Sequence, residues 1–249
     1  MKAYPDVKIN LGLNVLRKRP DGYHDLETLF IPYAGISDVL EIVPSETFRF
    51  VPSENVTWDN DLTVQAYNLL KADFNLPPVE IRLTKRAPVG AGLGSGSSDC
   101  ACTLRMLNSM FTLGLSDEAL SDYASRLGSD CPFFIYDRPM FGQGRGEILT
   151  PFDIDLSGYE IKVAIPEGSH VSTREAYAGI TPHLPEIPLS KVLRRPVGEW
   201  KDVLVNDFEP SVFRSHPEIE ALKSQFYAQG AVYSAMSGSG SSVFALFAR

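Results

Sequence analysis

The chain has 249 residues, 44% hydrophobic and 22% charged, with a formal net charge of −8. That balance suits a soluble globular protein and excludes disorder and collagen-like repeats. It also leaves no general basic face of the kind a non-specific nucleic-acid binder needs, so no nucleic-acid partner is expected.

No apolar signal core follows Pro5, Asp6 and Lys8, so a cytoplasmic protein is expected. Val7, Ile9, Leu11, Leu13 and Val15 alternate with Lys8, Asn10, Gly12 and Asn14, which predicts a strand. The apolar set faces the core, and Lys8, Asn10, Gly12 and Asn14 share the opposite face. A polar turn over 17–22 leads to a segment over 26–31, and 39–43 reads as another strand. Leu62, Ala66, Leu69 and Leu70 recur at helical spacing, predicting a helix over 61–74. Val79, Ile81 and Leu83 alternate as a strand. A Gly/Ser loop then opens a helix through Ala101, Leu104 and Leu107. Ser116 is the N-cap of a further helix whose first turn carries Asp117 and Glu118. Residues 131–136 read as a short apolar strand. A strand over 159–165, a short helix over 172–177 and a helix over 218–229 follow, the last capped by Gly230. Residues 232–236 and 243–247 read as paired strands. The class is α+β, with a lobe boundary near 150–158.

Two features bear on compartment. Cys100, Cys102 and Cys131 are too few and too unevenly spaced for a disulfide framework or zinc ribbon, and read as reduced, packed thiols. Residues 224–248 carry no charge and exceed a membrane span in length. The run Ser237-Gly238-Ser239-Gly240-Ser241-Ser242 would be unsatisfied in a bilayer, so a loop between buried strands is expected and no membrane partner.

The densest chemical signal is Pro88-Val89-Gly90-Ala91-Gly92-Leu93-Gly94-Ser95-Gly96-Ser97-Ser98-Asp99, between a strand and a helix. Glycines admit positive φ and close backbone approach. A helix N-terminus adds unpaired N–H donors and a positive dipole. Together they make an anion cradle suited to a triphosphate, in which Ser97 and Ser98 can donate to phosphate or ligate Mg²⁺. No Gly-Lys-Ser/Thr ends the run, so it is not a Walker A loop.

This loop resembles the ATP loop of the GHMP kinases. Pro5-Asp6-Val7-Lys8-Ile9-Asn10-Leu11 is similar to that family's first motif, and Met236-Ser237-Gly238-Ser239-Gly240-Ser241 to its third. Asp21-Gly22-Tyr23-His24-Asp25-Leu26-Glu27-Thr28-Leu29-Phe30 resembles the substrate motif of the branch whose acceptor is a cytidine-diphosphate-linked methylerythritol. Leu127-Gly128-Ser129-Asp130-Cys131-Pro132-Phe133-Phe134 resembles that branch's catalytic segment, and Gly142-Gln143-Gly144-Arg145-Gly146-Glu147 its hairpin. The resemblance spans nearly the whole chain. It implies a two-lobed fold: an ATP-binding and catalytic lobe over 1–150, like ribosomal S5 domain 2, and a ferredoxin-like substrate lobe over 151–249. It implies ATP-dependent phosphorylation of the acceptor's 2-hydroxyl in the non-mevalonate isoprenoid route, by a monomer or homodimer.

The roles implied follow the motifs. Asp130 is the base, and Lys8 keeps it ionised and orients the hydroxyl. Asn10 binds substrate or fixes Asp130. Tyr23 stacks on cytosine, His24 reads its polar edge, Phe30 lines the pocket, and Tyr177 closes the stack. Pro88, Gly90, Gly92, Leu93, Gly94, Ser95, Gly96, Ser97 and Ser98 bind ATP, with Ser98 on Mg²⁺. Gly238, Ser239 and Gly240 form the C-terminal glycine motif. Asn206 and Asp207 are expected to cap and brace. Asn60-Asp61-Leu62 departs from the family's Asp-Asn-Leu, and the stretch 50–60, with Pro52 and Trp58, is short for the family. The alternatives are a GHMP kinase with a mevalonate-type, homoserine or sugar acceptor, and a catalytically silent nucleotide-binding regulator.

Overall fold

The structure, a computed structural model, describes residues 1–53 and 60–249; Trp58 lies outside them. The chain begins with β1 (Lys2–Ala3), β2 (Asp6–Lys18), β3 (His24–Ser37), β4 (Val39–Pro44) and β5 (Arg49–Pro52). Next come α1 (Leu62–Phe74), β6 (Val79–Thr84), α2 (Ser95–Met110), α3 (Asp117–Ser125) and α4 (Cys131–Tyr136). The remainder forms β7 (Met140–Gln143), β8 (Ile148–Pro151), β9 (Tyr159–Ala164), α5 (Thr173–Ala178), α6 (Leu189–Val192), α7 (Glu209–Ser215), α8 (Pro217–Ala228), β10 (Tyr233–Met236) and β11 (Val243–Ala248). The mixture of helices and sheets is the expected α+β class. Two units divide it: Met1–Val7, Pro32–Val89 and Gly94–Arg138 form one, and Lys8–Ile31, Gly90–Leu93 and Pro139–Arg249 the other.

In the first unit a four-stranded sheet runs β1-β4-β6-β5. β4 is antiparallel to β6, with Leu40 opposite Leu83 and Ile42 opposite Ile81. β5 is parallel to β6, which requires a crossover, and α1 lies in it. The strand alternation buries Leu40, Ile42, Phe50, Ile81 and Leu83. α1 contributes Ala66, Tyr67 and Leu70 and packs on α2. Asp61 caps α1 by accepting from Thr63 N at 2.8 Å, and Ser116 caps α3 as expected, accepting from Ala119 N at 3.2 Å.

Residues 131–136 correct the sequence reading: they form helix α4, not a strand. Pro132 presets the helical φ in the first turn, and Asp137 in the left-handed region (φ 47°) ends the helix. The segment reads as uniformly apolar because residues 131–135 are all buried, which removes the helical periodicity.

The second unit carries the four-stranded sheet β2-β3-β7-β8 and the antiparallel sheet β10-β11-β9. α8 packs on β10 and β11, and Val212, Ile219, Phe226, Met236 and Val243 share one core cluster with Leu13 and Val15. The polar face of β2 is buried too: Lys8 and Asn10 are 3% exposed and Asn14 4%. Gly12 explains part of this, since a Cβ there would lie 2.6 Å from the side chains of Leu189 and Leu204. Asp207 accepts from Val15 N at 2.7 Å, the bracing expected of it.

Candidate active site

The second unit gathers Lys8, Asn10, residues 90–93 and the C-terminal glycine motif around the start of β2. A lysine this buried needs hydrogen-bond partners. Lys8 Nζ donates to Asn10 Oδ1 at 2.5 Å and to the Gly92 carbonyl at 2.9 Å, and its backbone N–H donates to the Leu93 carbonyl at 3.0 Å. The Phe30 ring centroid lies 5.5 Å from Nζ. Asn10 Nδ2 donates to Thr28 Oγ1 at 3.0 Å, which fixes its oxygen toward Lys8.

Ser237, just before the C-terminal glycine motif, donates from Oγ to the Gly92 carbonyl at 3.0 Å and accepts from Asn10 N at 3.2 Å. Ser242 reaches the Ala91 carbonyl through Oγ at 2.6 Å and its N–H at 3.1 Å. Gly92 has φ +77°, and a Cβ there would come within 2.1 Å of the Ser237 carbonyl. Only glycine fits this contact. Asn206 Nδ2 holds the carbonyls of Met236 and Gly238, each at 2.8 Å. Gly238, Ser239 and Gly240 occupy the connection from β10 to β11, on backbone anchored from both sides.

The aromatic residues of the same unit are arranged differently from a simple sandwich of Tyr23 and Tyr177. Tyr177 stacks on His24, centroids 4.9 Å apart and planes 22° apart, and meets Phe208 edge-on. Burial first, and then the nearby Lys18 charge, hold the His24 imidazole below its usual pKa. A neutral imidazole offers one donor and one acceptor, enough to read a polar ring edge. Tyr23 is 56% exposed, with the Arg145 guanidinium 4.9 Å from its centroid. Phe30 is buried, where a Cβ on Gly142 would overlap its ring. The hairpin residue Arg145 was not among the expected site residues; only its motif signalled it.

The first unit carries the helix end and Asp130. α2 starts at Ser95, after Gly94 at φ 69°, and no side chain caps it. Gly94 has no side chain with which to cap the first-turn N–H groups, and a helix N-terminus with free N–H donors is what an anion site uses. Pro88, Gly90 and Gly96 are exposed and Ser97 half-buried. Ser98, 4% exposed, lines a cavity of about 320 Å³ with Tyr4, Pro5, Asp6, Cys102 and Arg105. Asp130 stands at the start of α4, so it lies at a junction between helices, not between a helix and a strand. Hydrogen bonds from Cys100 and then, against the effect of burial, from Ser97 lower the pKa of the Cys131 thiol. The residue after Asp130 is thus tied to the first turns of α2.

Three further residues of this unit were given no role by the sequence, although Asp99 closes the glycine-rich run. Lys85 Nζ is paired with Asp38, donates to Asp99 Oδ2 at 2.7 Å and to Ser95 Oγ at 3.1 Å. Burial pushes the Asp99 carboxyl up to about 7, against the pull of Lys85 and with a further push from Asp38. Among the described residues no three His, Cys, Asp or Glu side chains converge as a metal cage, and no helix is long and apolar enough to cross a membrane.

Comparison with known proteins fits this geometry. Residues 61–138 match the GHMP kinases N terminal domain and residues 189–249 the GHMP kinases C terminal domain. A 4-diphosphocytidyl-2-C-methyl-D-erythritol kinase of Bacteroides fragilis is 49% identical, over 99% of this chain and 92% of that protein. The enzyme of the same name from Cytophaga hutchinsonii is 47% identical over 99% and 92%. A crystal structure of a 4-(cytidine 5'-diphospho)-2C-methyl-D-erythritol kinase superposes with TM-score 0.84 at 32% identity, covering 99% of this chain and 90% of that one. The Methanococcus jannaschii mevalonate kinase shares the fold, with TM-score 0.71 at 12% identity, covering 99% and 90%.

Proposed function

The chain belongs to the GHMP kinases, in the family of 4-diphosphocytidyl-2-C-methyl-D-erythritol kinases, and on that premise we propose that it transfers the γ-phosphoryl group of ATP to the 2-hydroxyl of that cytidine-linked acceptor. The observation that carries the choice of acceptor is the His24–Tyr177 stack in the unit that holds Lys8. A flat heteroaromatic ring needs such a platform, whereas mevalonate and homoserine have no ring to stack.

In this reading Asp130 accepts the hydroxyl proton as the oxygen–phosphorus bond forms and the bond to the leaving ADP breaks. Lys8 orients the hydroxyl, and Asn10, fixed by Thr28, holds Lys8 in register. Tyr23, His24, Phe30 and Tyr177 hold the cytidine. Pro88, Gly90, Gly92, Leu93, Gly94 and residues 95–98 cradle the phosphates, and Gly238, Ser239 and Gly240 support that cradle. A Mg²⁺ ion would be held on the protein side by the Ser98 hydroxyl, an oxygen ligand of the kind this hard cation takes. Such an ion neutralises charge on the phosphates. The lobes are 1–150 for nucleotide and catalysis and 151–249 for substrate, in a cytoplasmic monomer or homodimer.

A coupled ADP-release assay with ATP, Mg²⁺ and a panel of 4-diphosphocytidyl-methylerythritol, methylerythritol 4-phosphate, mevalonate and homoserine tests the proposal. Turnover confined to the cytidine compound is expected. Turnover on another acceptor overturns the specificity, and nucleotide binding without turnover points to a silent regulator. Asp130→Ala is expected to lose about 10³-fold in kcat while cytidine affinity survives; full turnover removes Asp130 from the chemistry.

A further inference from the structure

Within the kinase reading, we propose that Asp38, Lys85 and Asp99 are positioning residues: a buried clamp that closes the base of the glycine-rich loop and so sets the helix end that receives the ATP phosphates. Both feet of the loop are held. On the incoming side, Asp38 Oδ1 accepts the backbone N–H groups of Arg86 at 2.5 Å and Ala87 at 2.8 Å. On the outgoing side, Lys85 Nζ grips Ser95 and Asp99, which stand one turn apart on one face of α2. The Lys85–Asp38 pair joins the two sides. The side chains are 10%, 1% and 2% exposed for Lys85, Asp38 and Asp99.

Stability alone does not account for this arrangement. Asp99 Oδ1 is buried and finds no hydrogen-bond partner among the described residues, and an unmade bond at a buried carboxylate is costly. An apolar pair of similar volume at Lys85 and Asp99 would serve the core at least as well. What the ion cluster supplies is geometry. Gly90, Gly92 and Gly94 all have positive φ, and a loop so rich in glycine loses much entropy when it orders. Fixing its feet in advance lowers the ordering cost that falls on nucleotide binding.

The test is Lys85→Met combined with Asp99→Leu, which replaces the buried pair with apolar side chains while Asp38 keeps its two backbone donors. The variant is expected to keep a cooperative thermal transition, with KM for ATP raised about tenfold and KM for the acceptor unchanged. A merely structural role would instead reduce the active fraction and leave KM for ATP alone. If the double variant does not fold, Asp99→Leu alone decides, because Lys85 stays paired with Asp38; the same split is expected. Asp99→Asn, whose amide oxygen still accepts from Lys85, should restore a KM near wild type. An unchanged KM for ATP in a folded Leu variant overturns the clamp. ADP titration by calorimetry separates this from the underlying reading. Wild type that binds no adenine nucleotide overturns the kinase reading, whereas equal ADP affinity in wild type and variant overturns the clamp.

Discussion

Residues 88–97 and 237–242 are both runs of glycine, serine and small residues, yet the fold handles them differently. In the first, Pro88, Val89, Gly90 and Gly96 are exposed; in the second, every residue except Ser239 is buried. The first ends in the uncapped start of a 16-residue helix, the second in a strand. The second also satisfies itself internally: Ser237 N–H bonds to Ser242 O, and Gly240 N–H to Ser237 O. The Ser237 and Ser242 hydroxyls reach outward to carbonyls of the first, at Gly92 and Ala91, while the Ser241 hydroxyl donates to the Ser169 carbonyl and the Gly238 carbonyl accepts from Asn206. Composition alone does not make a ligand loop. The element that follows decides whether N–H donors are left over or consumed by a strand ladder.

The strongest way to break this pairing is Gly92→Ala. Its Cβ would overlap the Ser237 carbonyl at a backbone φ of +77°, so both sterics and conformation oppose it. We expect a loss of about 3 kcal/mol or more in denaturant unfolding, together with loss of turnover. A wild-type midpoint would show that the contact between the two segments is soft.

Acid–base behaviour should separate the segments next, because residues 237–242 contain no titratable group while the foot of the first loop contains Asp99. The Asp99 carboxyl lies near 7 in the fold, facing Lys85 and Asp38 and within the influence of Asp61, against about 3.9 when unfolded. The folded state therefore holds the proton more tightly. Its contribution to stability is full below about pH 4 and is lost as pH rises through about 7. Asp99→Asn should remove that loss, so its stability advantage over wild type should grow between pH 4 and pH 7 and then level off. A pH-independent difference in urea midpoints would place the Asp99 titration elsewhere.

Ser242→Ala should do less. The Ala91 carbonyl keeps the Ser242 N–H at 3.1 Å, so about 1 kcal/mol is expected for the lost hydroxyl, with KM for ATP unchanged. Gly96→Ala should have the smallest effect on stability and points the other way. A Cβ there meets only Leu62 Cδ1, at 4.0 Å, and an alanine in a helix should add about 0.5 kcal/mol. KM for ATP should nonetheless rise if the bare backbone serves phosphate approach. An unchanged KM would leave Gly96 without a ligand role.

Much of the fold was legible because its signals are local. Alternation marked β2, β4 and β6, helical spacing marked α1, and Ser116 caps its helix as expected, while the caps at Asp61 and Ser172 emerged only with the structure. α4 was misread because total burial erased its period, and β5, only four residues long, carried too little pattern to register. In the site, the glycine loops and the aromatic block announced themselves as motifs. Lys85 and Asp38 did not, and Asp99 entered only as the end of the glycine-rich run with no role of its own, since charges spread over some 60 positions look ordinary and solvated until the fold brings them together.

The order of residues along the chain was thus sufficient for element type, for the cap at Ser116 and for the family's motifs, because each depends on neighbours a few positions away. Partnership at long range belonged to the tertiary structure. Only folding could bury the polar face of β2, stack Tyr177 on His24, seat Gly92 against Ser237 and enclose Lys85 between two carboxylates. These pairings join residues far apart in the chain, and what fixes them is the burial of polar groups that must find partners once water is removed.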